Sequence, residues 1–365
     1  MIEPASPTLS SRVAPAPSQP RRSPITWVPT LYFMEGLPFY TVALVATLMY
    51  KSMGLPNDTI ARWTALLGLA WVFKPLWSPF LEAAPNKKTI VVLFQFIGAA
   101  AMGLVAASLH LPAWFAVSIV VLTAVAFASA THDIAADGLY IASLSRKQQA
   151  EYVGWQGAFF NAARFIAMGG LTYLAGTLER HVPPAHAWSV IFAILGTTMA
   201  ALAAYHLWAL PSSANAPRAD KSIRATAQLL WDVLVDYFGK PGIWLAIVFI
   251  VLFRAGEGQI QSIGPLFLRD ARGDGGLGLA TDEVGIVYGT AGTAAFIIGS
   301  IIGGYFTAWL GLKRALPVLI VAMNVPNLVF YYLSAAAPSD LTLIGALLSV
   351  EMFGYGFGFV GVILF

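Results

Sequence analysis

No cysteine occurs among the 365 residues, which excludes disulfides, zinc–thiolate centres and thiol nucleophiles. Charge is scarce as well. Asp, Glu, Lys and Arg make up 11% of the chain, against about 25% in an ordinary soluble domain. The formal net charge is only +3 and no basic face or stripe stands out, so a nucleic-acid partner is excluded. An early apolar run of the signal-peptide kind is also lacking. Residues 1–25 are rich in Pro, Ser and Ala and read as a disordered cytoplasmic tail.

What remains is apolar: 58% of the residues are hydrophobic, the balance of a polytopic membrane protein. About 20 apolar residues cross a bilayer core. Ten segments meet that measure, at 26–50, 60–81, 89–109, 112–142, 153–177, 187–208, 242–267, 284–309, 315–334 and 341–365. Six precede the polar stretch 211–240 and four follow it, so the expected organisation is a tail (1–25), an N-terminal six-helix bundle (26–210), a cytoplasmic linker (211–240) and a C-terminal helical bundle (241–365). In the linker, Leu229, Leu230, Val233, Leu234 and Tyr237 recur at helical spacing opposite Asp232 and Asp236. That pattern predicts an amphipathic helix on the membrane surface. The last span ends at Phe365 with no polar residue to close it, and the six-plus-four split leads us to expect two further helices.

Lysine and arginine orient the chain. With a cytoplasmic N-terminus, that side holds Arg12, Arg21, Arg22, Lys87, Lys88, Arg146, Lys147, Arg218, Lys221, Arg224, Lys240, Lys313 and Arg314. The opposite side holds Lys51, Arg62, Arg180, Arg269 and Arg272. Thirteen against five places the N-terminus inside.

The charges left within spans are the informative ones: Lys74, Arg164 and Arg254, with Glu35, Asp133, Asp137, Glu257 and Glu351. Each costs about 2.5–3.5 kcal/mol at a helix centre on insertion scales, so eight of them must face one another or a water-filled cavity. Asp133 and Asp137 are four residues apart and lie on one helical face, at about 5–6 Å between Cβ atoms. Two carboxylates that close resist being ionised together, which suits a site that loads a proton on one side and releases it on the other. The plainer reading has both aspartates capped by Arg164 or by loop groups, and the bases merely pinning helices together. His132 points to another face from Asp133. Taken as the one histidine well inside a span, it cannot build a multi-histidine metal site, and a structural hydrogen bond to a neighbouring helix is expected of it. Glu35, Glu257 and Glu351 each have glycine or proline close by, in 31-LYFMEGLPFY-40, 253-FRAGEGQIQSIGP-265 and 351-EMFGYGFGFVG-361. Bent backbone beside an intramembrane acid marks cavities in secondary transporters. Gln259 and Gln261 add neutral hydrogen-bonding groups.

The stretches "YFMEGLPFYTV" at 32–42, "WVFKPLWSPFLE" at 71–82 and "ASATHDIAADGLY" at 128–140 resemble the AmpG-type muropeptide permeases of the major facilitator superfamily. The resemblance is specific for the first, second and fourth spans and looser beyond the linker. It implies an all-α polytopic fold of twelve helices in two pseudo-symmetric halves, of which ten are present here. It also implies that spans 1, 4, 7 and 10 line a central cavity, and that Asp133 and Asp137 are proton-coupling carboxylates. Three features differ from the family pattern. The loop after the second span is reduced to "LEAAPNKK", with Glu82, Lys87 and Lys88 as partial substitutes; His132 stands where the family has glutamine; and the last two helices are absent.

The function expected is that of a proton-coupled importer of anhydromuramyl peptides, a multi-pass protein of the bacterial inner membrane, not an enzyme. It would act as a monomer on a small sugar-peptide, with no cofactor or metal beyond the proton gradient. Asp133, Asp137, Glu257 and Glu351 would carry protons, while Glu35, Lys74, Arg164, Arg254, Gln259 and Gln261 would bind substrate or gate. An exporter of drugs or siderophores, a carrier of acetyl-coenzyme A, a membrane enzyme built on His132, Asp133 and Asp137, and a non-transporting sensor remain as alternatives.

Overall fold

A computed structural model describes residues 22–82, 86–212 and 223–364. Most of the tail and the linker segment 213–222 lie outside that range, and with them Arg12, Arg21, Arg218 and Lys221. Every regular element among the described residues is helical. In chain order, α1 is Pro24–Ser52, α3 Lys87–Ser108, α4 Trp114–Ser143, α6 Pro184–Ala209, α8 Ile243–Arg269, α9 Thr281–Leu310, α10 Leu312–Ala336 and α11 Leu341–Val362. These eight are long and apolar enough to cross a membrane, against the ten expected. The two remaining segments are helical but fall short of that measure. The first, α2, is broken into Asn57–Leu67, Leu69–Val72, Lys74–Leu76 and Ser78–Glu82. Gly68 and Pro75 interrupt it, because glycine tolerates the bend and proline lacks an N–H. The other, α5, runs through Arg146–Arg164, Phe165–Leu171 and Thr172–Glu179, and its first turns are too polar. The linker helix α7, Ile223–Gly239, is present as expected. Its Trp231, Val233 and Tyr237 are exposed and not packed in the protein. The Leu229 side chain is not among those described.

Local signals set several boundaries. Asn86 caps α3 by accepting the Thr89 N–H at 3.2 Å, and Ser145 opens α5 in a capping box with Gln148. Three stretches are wound as π-helix: Thr41–Val45 in α1, Phe165–Leu171 in α5 and Gly285–Gly292 in α9. Such turns free backbone groups and recur at functional sites.

In the first half, α4 and α6 pack on α3, while α1 packs on α5 and α4. In the second, α9 and α10 pack on α11. The halves meet where the π turns of α5 and α9 face each other. A side chain at Gly289 would run into the backbone of Met168 and Gly169, so the close approach requires glycine. One end of this seam is latched. Lys51 is ion-paired with Asp270, whose second oxygen accepts from Asn57 at 2.7 Å. Arg180 pairs with Asp282, and Thr281 donates to Glu179 at 2.6 Å. Lys51, Arg180 and Arg269, grouped on one side by the sequence, thus gather at one end, where Arg269 also donates to Ser52 at 3.4 Å.

Candidate functional site

Two groups of charged side chains lie within the helical bundle. The first belongs to α1, α2 and α4. Lys74, in the break of α2, lies 3.5 Å from the Asp133 carboxylate. Tyr32 of α1 donates to Asp137 at 3.0 Å. Glu35 stands within electrostatic reach of Asp133, Asp137 and Lys74, and one of its oxygens is buried without a hydrogen-bond partner. Asp133 is buried, whereas Asp137 opens with Lys74, Trp71 and Ser78 onto a cavity of about 690 Å³. The two aspartates are therefore near each other but held differently, one by a cation and one by a phenol. Three carboxyl groups meet a single lysine. Ionising all three would leave two negative charges uncompensated by the lysine, with Asp133 itself buried, which is costly.

The second group lies between the halves. Arg164 of α5 is buried, with its guanidinium 5.2 Å from the Phe296 ring and 5.9 Å from that of Tyr40. One of its terminal nitrogens lies 3.4 Å from the sulfur of Met352. It does not cap the aspartates. Its acidic neighbours are Glu257 and Glu351, both fully buried and within its electrostatic reach. Gln261 donates to Glu257 at 2.6 Å, while both carboxylate oxygens of Glu351 are buried without a hydrogen-bond partner. Arg254 stands 5.4 Å from the Phe359 ring. Arg164, Arg254 and Gln261 line a cavity of about 400 Å³ together with Phe39, Tyr40, Phe160, Asn161, Phe296, Tyr355 and Phe359. Guanidinium groups in such a setting bind carboxylates or phosphates, and the aromatic faces suit apolar or sugar rings.

Of the residues singled out from the sequence, Glu35, Lys74, Asp133 and Asp137 come together in the first group, and Arg164, Arg254, Glu257, Gln261 and Glu351 in the second. Gln259 joins neither: it lines a separate cavity of about 210 Å³ with Phe267, Phe330 and Ser334. His132 makes the expected bond to a neighbouring helix, with Gln95 of α3 at 2.9 Å. A second histidine, His206 in the last turn of α6, is fully buried as well. Tyr32, Tyr40, Gln95 and His206 were not foreseen. A signal for the aromatic lining does exist, since Glu351, Tyr355 and Phe359 recur every four residues on α11 and share one face. No group of three or more His, Asp or Glu residues among the described ones could hold a metal ion.

Comparison with known proteins agrees with this architecture. The chain is 26% identical over 341 residues to the anhydromuropeptide permease of Escherichia coli K12, a match covering 90% of this chain and 64% of that protein. A putative transporter, AmpG 4 of Rickettsia felis, is 21% identical over 342 residues, covering 90% and 78%. In three dimensions, the nucleoside transporter NupG superposes with a TM-score of 0.65 at 17% identity, covering 93% of this chain and 81% of that one. An inward-facing, occupied bacterial homologue of the lysosomal transporter Spinster gives 0.64 at 17% identity, covering 93% and 74%. These relatives are permeases and transporters, not enzymes, which removes the reading of His132, Asp133 and Asp137 as an enzyme's acid–base cluster. The family model of the Major Facilitator Superfamily matches residues 30–365, and the chain belongs to that superfamily of multi-pass membrane transporters.

Proposed function

We propose that the chain is a proton-coupled importer of anhydromuramyl peptides in the bacterial inner membrane, working as a monomer with the proton gradient as its sole energy source. The observation that carries the reading is the unequal charge of the two interior groups. Two further carboxyl groups, Glu35 and Asp137, and one lysine surround Asp133, an arrangement suited to holding an exchangeable proton. Two arginines and two buried glutamates line or back the central aromatic cavity, where the arginines suit the carboxylates of a peptide and the rings its sugars. Likeness to the Escherichia coli anhydromuropeptide permease supports that substrate class. In this reading Asp133 and Asp137 carry the proton, with Glu257 and Glu351 as partners across the cavity. Arg164 and Arg254 bind anionic substrate groups, and Glu35, Lys74 and Gln261 serve the gate and the lining; Gln259 stays a peripheral candidate.

The bundle over 26–210 and the helices of 241–365 are taken as the two rocking halves, joined by the linker 211–240. With the N-terminus in the cytoplasm, the end latched by Lys51–Asp270 and Arg180–Asp282 faces the periplasm. Uptake of radiolabelled anhydromuropeptide into vesicles with an imposed inward proton gradient tests the reading. Uptake should collapse when a protonophore is added; uptake that persists without the gradient would refute coupling.

A further inference from the structure

Behind Asp133 runs a buried polar chain that the proposed transport cycle does not use. It starts at Thr30 of α1, whose hydroxyl lies 3.0 Å from Nε2 of His206. On the other side of that ring, Nδ1 lies 2.9 Å from Oε1 of Gln95. The amide nitrogen of Gln95 is in turn 2.9 Å from Nε2 of His132. His132, Gln95 and His206 are 3%, 1% and 0% exposed. At the far end, Nδ1 of His132 and Oδ1 of Asp133 face each other across 3.9 Å. Both of these atoms are buried and have no hydrogen-bond partner.

The orientation of the Gln95 amide couples the tautomers of the two rings, and the one placed here turns Oε1 to His206 and the nitrogen to His132. Oε1 of Gln95 only accepts and its nitrogen only donates. His206 therefore carries a proton on Nδ1, and Nε2 of His132 is a bare acceptor. A proton added at that nitrogen would point at the amide N–H of Gln95, donor against donor. A neutral imidazole has one proton, and in His132 it sits on Nδ1, directed at Asp133. The remaining gap is about 1 Å beyond a normal hydrogen bond, within reach of small side-chain rotations. The other charged groups around Asp133 are Lys74, Glu35 and Asp137.

We propose that His132 is a positioning residue, locked by Gln95 and His206 with its proton on Nδ1, whose N–H holds the Asp133 carboxylate in the orientation from which it exchanges the transported proton. The proposal rests on the reading of Asp133 as a coupling carboxylate. The lock is made of α1, α3, α4 and α6, which pack together in the first half, so it stays with Asp133 when that half moves. Lys74 sits in the broken α2 and is the contact free to part. His132 then supplies the donor that keeps the carboxylate in place.

The test is a ¹⁵N-histidine spectrum of the full chain in lipid bilayers, which distinguishes protonated from bare ring nitrogens and needs no substrate. The wild-type chain should show His132 and His206 both protonated on Nδ1. In Gln95→Glu, whose carboxylate only accepts, the His132 proton should move to Nε2. Gradient-driven accumulation of anhydromuropeptide in that variant should fall about tenfold, the weight of one hydrogen bond to a charged group, while exchange at equal pH continues near the wild-type rate. A wild-type His132 protonated on Nε2 overturns the proposal, and this result does not depend on the variant folding. So does an equal loss of exchange and accumulation, which would mark Gln95 as merely structural. A wild-type chain that moves no anhydromuropeptide refutes the transport reading, and the spectrum alone then decides the lock.

Discussion

The two interior groups differ in how their charge is balanced. Around Asp133, three carboxyl groups share one lysine, and Asp137 opens onto a wide cavity. Around Arg164, two glutamates stand within its reach, one of them also within reach of Arg254, and the cavity is walled by aromatic rings. An acid-rich group with few cations must change its proton content to change its surroundings. A balanced group can instead remain charged and offer its cations to a ligand. On this contrast rests our proposal that the first half handles protons and the seam between halves binds ligand.

Neutralising the acid-rich group is the strongest way to break this contrast. Asp133→Asn or Asp137→Asn should lower gradient-driven uptake about 100-fold, as loss of a proton-transfer group does, with equal-pH exchange retained. Next comes Arg164→Ala, which leaves Glu257 and Glu351 without their buried cation. It should cost about 3 kcal/mol, the low end for breaking a buried pair, read as a lower Tm in detergent together with weaker substrate binding. Arg164→Lys should restore stability better than binding, because an ammonium lacks the planar fork that grips a carboxylate.

Smaller effects are expected at the seam, where the contrast can be sharpened. Gly289→Ala would press a methyl group into the Met168 backbone and cost about 1–3 kcal/mol, loosening the latched end. Lys51→Ala removes a partly exposed ion pair worth about 1 kcal/mol and should loosen it less. Because the chain has no cysteine, a single Ser52→Cys replacement gives a clean reporter. Its labelling by an impermeant maleimide should speed up more in the Gly289 variant than in the Lys51 variant.

Much of the fold was legible in the sequence. The apolar runs of α3, α4 and α6 exceed the bilayer thickness without interruption, and capping residues are readable at the start of α3, Asn86, and of α5, Ser145. The breaks in the second segment were not legible because hydropathy averages over Gly68 and Pro75, where the helix is interrupted. At the site, the charged residues were legible because burial makes each one costly. Their grouping was not, since sequence spacing relates Asp133 to Asp137 but says nothing of Tyr32, 105 positions from Asp137, which binds it. His206 was missed for a similar reason. It lies in the last turn of an apolar span, where a histidine ordinarily reaches solvent, and only the packing of α3 against α6 buries it beside Gln95. Gln259 and Gln261 looked equivalent in sequence, yet two positions along a helix face different ways.

The central claim is that substrate and proton cross together through the Asp133 group. It is tested most directly by adding anhydromuropeptide to weakly buffered, unenergised vesicles and recording external pH. The account predicts alkalinisation as protons enter with substrate, and its absence in Asp133→Asn. Substrate entry with no pH change in the wild-type chain would contradict it.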